Sequence, residues 1–282
     1  MSLSAPRATA PRAAIAIRSF STPDDYQACL ALQKETWGNN FAECVPPSLL
    51  LVSQKIGGIA AGAFDDAGHL LGFVFGLTGV RSGRLVHWSD MLAVRPEWRD
   101  QGLGRRLKLY QKERALALGV EVIYWSFDPL VARNAHLNLN RLGARVEEYV
   151  PDMYREDSGG TLHQGMSLDR FIVAWVLRPE QEKPPATGDG ANDFAHAPIV
   201  NTVVNPHAGL VPAAGELALG AAIRIEIPAD IQVVKASSME QAATWRAVTR
   251  RAFLFYQERG YKVAGFRRHA GSGRCFYQVV RD

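Results

Sequence analysis

Short runs of apolar and polar residues succeed each other along the chain, and their periods predict alternating strands and helices. Strands are predicted over residues 15–20, 59–64, 70–80, 85–94, 121–127, 145–149 and 171–177. Helices are predicted over residues 22–37, 48–57, 102–119 and 134–142. Capping residues and prolines mark the ends of these segments, as Thr22 and Pro23 do for the first helix. The order of the elements predicts an α/β protein built on a mixed sheet.

Composition divides the chain into four segments. Residues 1–14 predict a disordered arm, and residues 15–178 predict a first domain. Residues 179–220 are rich in Pro, Gly, Ala and Asp and predict a linker or an irregular excursion. Residues 221–282 predict a smaller α+β subdomain: a strand, a helix capped by Ser238, and a hairpin. A unit of about 60 residues is marginally stable alone, so we expect it to pack on the first domain or on a second subunit.

The overall composition narrows the class of protein. Of the 282 residues, 47% are hydrophobic and 21% are charged, which is typical of a globular protein with a core. No apolar run approaches the roughly 20 residues of a membrane helix, and the first residues lack the apolar middle of a secretory signal. Three widely spaced cysteines, Cys29, Cys44 and Cys275, argue against a disulfide framework or a cysteine zinc site. We therefore expect a cytoplasmic protein without a membrane anchor or a metal.

The net charge of +4 is a mild excess that permits an anionic ligand without requiring nucleic acid. Basic residues cluster between Arg95 and Arg114, at the start of the helix predicted over residues 102–119. A second basic group lies on the C-terminal helix, at Arg246, Arg250, Arg251 and Arg259. This group permits nucleic-acid binding, but an exposed helix face has the same composition, so no nucleic-acid partner is expected.

The segment Met91–Leu107 carries the candidate chemistry. It predicts a strand, a turn with the pattern Arg99-x-x-Gly102-x-Gly104, and a basic helix. The start of a helix exposes unpaired backbone N–H groups and the positive end of the dipole, and glycines allow an oxyanion to approach closely. A phosphate or pyrophosphate is the natural ligand of such a turn. The chain has no G-x-x-x-x-G-K-[ST] motif, and Leu107 stands where a dinucleotide fingerprint needs its third glycine.

In this setting the motif resembles the acyl-CoA motif [RQ]-x-x-G-x-[GA] of the GNAT superfamily of N-acetyltransferases. The resemblance covers about residues 15–177 and includes the order of strands and helices. It implies a GNAT acyl-CoA N-acyltransferase fold, here with a smaller C-terminal α+β extension. It also implies acetyl-CoA as the cosubstrate and direct transfer of the acyl group to an amine, without a metal.

The resemblance further implies roles for individual residues. The pyrophosphate would lie on backbone N–H groups of the turn, at Arg99, Gln101, Gly102, Leu103, Gly104 and Arg105. The pantetheine arm would run beside Met91, Leu92 and Val94, where the N–H of Leu92 would polarise the thioester carbonyl. Asn134 would contact the pantetheine. Arg105, Arg106 or Lys108 would meet the adenosine 3′-phosphate, or would simply form a solvated helix face.

The acid and the base are less clearly marked in the sequence. The family's usual acid, a tyrosine on the helix after the fifth strand, is replaced by Leu139. The thiolate then leaves unaided, or Tyr149 or Tyr154 protonates it. Asp90 is the candidate base and is expected to share a strand face with Leu92 and Val94.

Three further residues near the predicted site have weaker interpretations. His87 and Asp128 are secondary candidates for the base. The neighbours Asp169 and Arg170 are predicted to form a local ion pair.

Two classes of function remain open at this stage. One is an N-acetyltransferase acting on an amine that the sequence does not identify, with a homodimer as a possible assembly. The other is a non-catalytic acyl-CoA-binding or regulatory protein of the same fold, which the replacement of the tyrosine by Leu139 keeps in consideration.

Overall fold

The computed structural model describes residues 14–154, 168–178, 193–205 and 209–281. The strands are β1 Ala16–Ser19, β2 Ile59–Phe64, β3 Leu70–Arg81, β4 Arg84–Val94, β5 Val122–Phe127, β6 Arg145–Tyr154, β7 Leu168–Val176, β8 Thr202–Asn205, β9 Gly209–Pro212, β10 Ala222–Ile227, β11 Tyr261–Arg268 and β12 Cys275–Arg281. The α-helices are α1 Pro23–Trp37, α2 Pro47–Lys55, α3 Leu103–Ala117, α4 Ala132–Ala135, α5 Asp193–His196, α6 Ile231–Ser237 and α7 Met239–Gln257. A π-helical stretch, His136–Arg141, follows α4.

A seven-stranded sheet in the order β1-β2-β3-β4-β5-β7-β6 forms the body of the molecule. Strands β4 and β5 run parallel, and the other neighbours in this sheet run antiparallel. The β4–β5 pairing covers Val86 to Trp88 on β4 and ends at the pair Trp88–Tyr124. Because β4 continues to Val94, the carboxyl-terminal halves of the two strands separate and leave a gap in the middle of the sheet.

Helices cover both faces of the β2–β4 half of the sheet. On one face, α1 and α2 bury an aromatic cluster around Phe73 and Phe75 of β3. On the other face, α3 packs Leu103 and Leu107 against β2, β3 and β4. Thr22 caps α1 in a capping box with Asp25. The predicted helix over residues 102–119 thus forms nearly as predicted, with its apolar face on the sheet.

The C-terminal region packs on the β5–β7 half of the same sheet, on the face that carries Phe171 of β7. Its three strands form a second sheet in the order β10-β12-β11, with α6 and α7 beside it. Phe253 of α7 and Tyr277 of β12 each make edge-to-face contacts with Phe171. One continuous apolar cluster therefore joins the two regions.

Part of the segment predicted as a linker or an irregular excursion is ordered against the C-terminal sheet. Residues 193–205 and 209–220 include α5 and the β8–β9 hairpin. The buried Asn201 side chain bonds the backbone N–H and C=O of Glu226 at 2.8 Å each. These residues are therefore an excursion that packs on the fold. Residues 179–192 and 206–208, and the predicted arm except Ala14, lie outside the described residues.

Most element boundaries fall within a few residues of the prediction, with three differences. Strand β6 runs on to Tyr154, five residues beyond its predicted end, with irregular pairing to β7. The helix predicted over residues 134–142 is a short α4 followed by the π-helical stretch. Helix α6, which Asp230 caps, was not predicted. Within the described residues, no helix is both long and apolar enough to cross a membrane.

Candidate active site

The turn from β4 to α3 places a helix start beside the gap in the sheet. Gly102 is the N-cap residue of α3 and has a left-handed backbone with φ of 79°. Two side chains fix the turn by bonding its backbone: Arg99 Nε donates to the carbonyl of Val94 at 3.0 Å, and Gln101 Nε2 donates to that of Glu97 at 2.8 Å. The turn is therefore preorganised by residues of the predicted motif.

The first turn of α3 exposes backbone donors. The N–H groups at the start of an α-helix have no partner within it, and no side chain of the described residues caps this helix start. A Cβ atom added to Gly102 would meet no described atom within 4 Å. One added to Gly104 would lie 3.6 Å from Leu92 and 3.9 Å from Val94, so this glycine packs the helix closely against β4. The geometry suits an oxyanion.

The basic residues that follow have different environments. Arg105 and Arg106 are exposed, and Arg106 donates to the carbonyl of Ile15 at 2.8 Å. Lys108 is instead buried and points at the sheet, where Nζ donates to Ser89 Oγ at 2.6 Å. Lys108 is therefore not placed to meet the adenosine 3′-phosphate, and that alternative is wrong, because helix periodicity turns Lys108 inward.

The backbone of β4 offers donors to the gap. The N–H of Arg95 bonds the carbonyl of Leu71 on β3 at 2.9 Å. Since successive backbone groups of a strand point to opposite sides, the N–H groups of Leu92 and Val94 point away from β3, toward the gap. Beyond Trp88 the pairing with β5 has ended, so these donors face open space between two strands.

Asp90 sits at a break in the strand. Gly76 pairs with Ser89 and Phe75 pairs with Met91, so Asp90 is an extra, bulged residue. The bulge places Leu92 and Val94 against α3, whereas Asp90 lies near the Trp88 side chain on the opposite face. The expectation that these three residues share a face is wrong, because the bulge interrupts the period-two alternation.

The surroundings of Asp90 raise its proton affinity. The Asp90 side chain is exposed, yet the protein around it displaces part of its water and raises its pKa above the usual value; the Trp88 side chain and the charge of Arg170 offset part of this rise. The pKa of Glu43, on the loop before α2, is also raised, first by burial and then by the charge of Asp90. Two carboxyl groups with raised pKa values thus lie near the end of the paired part of β4.

Arg170 and Tyr154 lie on the same side of the gap, around Ser126 of β5. Arg170 Nε donates to Ser126 Oγ at 3.0 Å and NH2 donates to the Ser126 carbonyl at 2.8 Å. The Tyr154 hydroxyl lies 3.3 Å from Ser126 Oγ, and its ring centroid lies 5.5 Å from the Arg170 guanidinium carbon. Tyr154 is half-buried and therefore reachable from the gap.

A small cavity continues this face away from the gap. It has a volume of about 260 Å³ and lies over the paired parts of β4 and β5. Its lining residues are Arg81, Val86, Trp88, Tyr124, Glu147, Glu148 and Ile172. Because Trp88 lies near Asp90 and lines the cavity, the cavity adjoins the carboxylate.

Tyr149 occupies a very different place from Tyr154. It is 3% exposed, and its hydroxyl donates to the Asp169 carboxylate in a short hydrogen bond. Burial raises the pKa of Tyr149 well above its usual value, and the Asp169 charge adds to that rise. Its ring lies 5.1 Å from that of Phe253, centroid to centroid, in the shared core. These contacts are those of a core residue.

The predicted local ion pair between Asp169 and Arg170 is not formed. Neighbouring residues on a strand point to opposite faces, so Arg170 faces Ser126 whereas Asp169 faces α7. There Arg250 binds Asp169 through Nε at 2.9 Å and binds Asp152 through both terminal nitrogens. Arg250 therefore links α7 to the sheet.

His87 belongs to a buried polar network behind β4. Its Nε2 lies 3.0 Å from Gln111 Nε2, and its Nδ1 lies 3.0 Å from Thr78 Oγ1. Burial, followed by the charge of Lys108, lowers the pKa of His87 to about 4. Gly76 leaves the room for this ring, since a Cβ there would lie 2.3 Å from Nε2. The neutral, enclosed His87 is structural.

The charged group formed by Asp128 and Arg246 was not predicted. Arg246 NH2 donates to Asp128 Oδ2 at 2.6 Å, and the N–H of Leu130 donates to Oδ1 at 2.8 Å. Burial alone would raise the pKa of Asp128, but the Arg246 charge and hydrogen bond leave it below its usual value. The arginine lies 118 residues away in sequence, so only its placement on a conspicuously basic helix could have signalled it.

The helix after β5 carries the remaining predicted residues. Asn134 is half-buried in α4, and its N–H bonds the carbonyl of Val131 at 2.9 Å. Leu139, at the tyrosine position, lies in the π-helical stretch and packs against the shared core. Asn140 Nδ2 donates to the carbonyl of Phe266 at 2.9 Å, so β11 supports this segment.

Comparison with known proteins gives a family for the part of the chain that forms the site. Residues 25–143 match a family model described as the acetyltransferase (GNAT) family. No curated protein sequence matches the chain at a significant level.

Solved structures resemble the chain over about three-fifths of its length. Aminoglycoside 6′-acetyltransferase type Ii is 19% identical; the match covers 58% of this chain and 98% of that one, with a TM-score of 0.46. The protein yncA from Salmonella typhimurium, solved with its cofactor acetyl-CoA, is 18% identical over 61% of this chain and 98% of its own, with a TM-score of 0.46. An N-acetyltransferase from Staphylococcus aureus Mu50 is 15% identical over 58% and 99%, with a TM-score of 0.47.

The family match and the mixed sheet confirm the fold class expected from the sequence. The family model ends at residue 143, and the second sheet with α6 and α7 lies beyond it. Residues 25–143 therefore match the GNAT acetyltransferase family, and the chain carries an additional C-terminal region beyond that match.

Proposed function

We propose that the protein is an N-acyltransferase that takes an acetyl group from acetyl-CoA and passes it to an amine within a ternary complex. The observation that carries the proposal is the helix start at Gly102, whose unpaired N–H groups lie at the mouth of the gap between β4 and β5. A diphosphate fits the helix start and an extended arm fits the gap, which is the shape of an acyl-CoA. Bound acetyl-CoA would supply an activated thioester.

The remaining groups have roles in the transfer of the acyl group. The N–H of Leu92 stabilises the negative charge that develops on the thioester carbonyl oxygen. Asp90, with its raised pKa, accepts a proton from the acceptor ammonium, directly or through water. As the N–C bond forms and the C–S bond breaks, the nitrogen loses its second proton to solvent, and the thiolate receives a proton from Tyr154 or leaves unaided. Asn134 remains a proposed contact of the pantetheine. Tyr149 is excluded from the set of acids, because it is enclosed in the core.

The first test of this proposal is the Gly104→Glu variant. A carboxylate at the helix start repels a diphosphate, so the affinity for CoA is expected to fall by at least about a hundredfold. Gly104→Ala is the matched control: its Cβ fits at ordinary contact distances, so the affinity is expected to stay within about threefold. Calorimetric titration with CoA measures both values. Equal affinities in the two variants would contradict the placement of the cofactor.

The second test separates the enzyme from a non-catalytic acyl-CoA-binding protein. Thiol release from acetyl-CoA is followed with a panel of amines, amino acids, peptides and aminoglycosides. Turnover that depends on the acceptor, and that falls by at least about a hundredfold in Asp90→Asn with CoA affinity retained, is expected for the enzyme. Tight binding of acetyl-CoA without turnover across the panel favours the non-catalytic alternative.

A further inference from the structure

A buried arginine with unsatisfied donors lies beside the candidate site. Arg246 of α7 is 5% exposed, and it uses NH2 to bond Asp128. Its Nε and NH1 atoms find no hydrogen-bond acceptor among the described residues. Buried donors without a partner are costly, and a native structure retains them where a water molecule or a ligand completes the bonding.

Several charged groups surround Asp128. Arg246, Arg170 and Lys235 all lie close enough to couple electrostatically with Asp128. Asp169 also acts on Arg246, but it is engaged by Arg250 and the Tyr149 hydroxyl. Arg246 and Arg170 therefore both act on the buried carboxylate of Asp128, and Arg246 bonds it directly. A further anionic group would stabilise these two arginines.

The cluster adjoins the place proposed for the acceptor amine. Arg170 couples electrostatically with Asp90 and Glu43 and also with Asp128 and Arg246. Carboxylates that attract an ammonium group and a guanidinium group that attracts an anion therefore both lie within electrostatic range of Arg170. An amino acid is an acceptor that carries an ammonium group and an anionic carboxylate close together.

We propose that the acceptor is a free amino acid, whose carboxylate binds the unsatisfied guanidinium donors of Arg246 with support from Arg170. The amino group then lies toward Asp90, and the side chain extends toward the cavity lined by Trp88 and Tyr124. Guanidinium groups bind carboxylates with paired, charge-assisted hydrogen bonds, which fixes the orientation of the acceptor. This inference rests on the proposed N-acyltransferase function.

The experiment compares each of the common amino acids with its amide, which keeps the amine and the side chain but lacks the negative charge. For the best acceptor, kcat/KM is expected to exceed that of its amide by at least about thirtyfold, because the amide leaves the buried cations unpaired. The Arg246→Lys variant keeps a positive charge beside Asp128 but lacks the paired N–H donors of a guanidinium group. In this variant the preference for the amino acid over its amide is expected to fall below about fivefold. If Arg246→Lys does not fold, the double variant Arg246→Met with Asp128→Asn is used instead, because it removes both charges.

Arg251→Lys is the matched control on the same helix, because Arg251 is exposed and bonds only the carbonyl of Gly215 among the contacts described for it. It is expected to keep the preference for the carboxylate. If amides react as well as amino acids, or if the preference survives in Arg246→Lys and in the double variant, the inference is overturned, and an internal water is then the partner of Arg246.

A failure of the proposed function can be told apart from a failure of this inference. If no acceptor is acetylated, the amino acids are titrated into the protein calorimetrically, with and without CoA. This titration distinguishes the two failures. Binding that is lost in Arg246→Lys and kept in Arg251→Lys supports an amino-acid site in a protein without transferase activity. No binding of any amino acid to the wild-type protein overturns the inference.

Discussion

At the scale of single residues, Gly102 joins local conformation to the proposed cofactor site. Its φ of 79° lies in a region that costs a residue with a Cβ about 1–2 kcal/mol. Because the space around a Cβ is open, Gly102→Ala is expected to lower the free energy of unfolding by about that amount through backbone strain alone. Denaturant titration measures the loss, and Gly104→Ala should show a much smaller one. Equal stability of the two variants would contradict the left-handed turn.

Lys108 gives a prediction for the dependence of stability on pH. Burial lowers the pKa of Lys108 to about 7, below the 10.5 of a free lysine. Between these values the unfolded chain binds more protons than the folded chain, so this group makes stability rise as pH increases above about 7. The difference in unfolding free energy between the wild type and Lys108→Met should rise by about 1 kcal/mol per unit between pH 7.5 and 9. A difference that stays constant over this range would show that Lys108 is solvated.

At the scale of elements, α7 holds the C-terminal region to the main sheet through buried charges. Arg250 binds Asp169, which is fully buried, so Arg250→Met leaves a buried carboxylate without its main cation. The free energy of unfolding is expected to fall by about 3–5 kcal/mol. Arg251→Met, one residue along the same helix, should cost less than about 0.5 kcal/mol. Thermal unfolding of both variants compares them, and similar melting temperatures would contradict the docking of α7 through this contact.

The sequence predicted those elements whose signals are local. The apolar periodicity of α3, the glycine pattern at its start and the capping residue Ser238 each act within a few positions, and each is found where expected. The bulge at Asp90 had no such signal, because it depends on how β4 pairs with β3. The bulge places Asp90, the candidate base, on the face of the sheet opposite to the predicted one.

Side-chain contacts between residues that are distant in the sequence could not be predicted either. The arginines of α7 suggested a solvated or nucleic-acid-binding face, yet Arg246 and Arg250 turn inward to carboxylates on distant strands. A basic helix face and a buried set of ion pairs have the same composition, and only the fold distinguishes them. Tyr149 and Tyr154 are five residues apart on one strand, so alternation places them on opposite faces, and only the fold decides which face α7 covers.

At the scale of the whole molecule, the two regions share one core. Removal of residues 179–282 would uncover apolar side chains of β5 and β7 that now contact α7 and β12, including Phe171. We expect the truncated chain to lose cooperative unfolding and to bind a hydrophobic dye, because its core has lost one wall. Calorimetry and dye fluorescence test this expectation, and a sharp thermal transition in residues 1–178 would show that the first region folds alone.

The contact between the Tyr277 hydroxyl and the carbonyl of Pro129, at 2.8 Å, spans 148 residues. During synthesis, the chain emerges at about 5–20 residues per second, so the apolar face of the first region stays uncovered for roughly 7–30 s. Nascent chains in this interval present a wide apolar surface to solvent or to a chaperone. The yield of folded protein should therefore depend on the speed of translation and on chaperone supply, even where the finished molecule is stable.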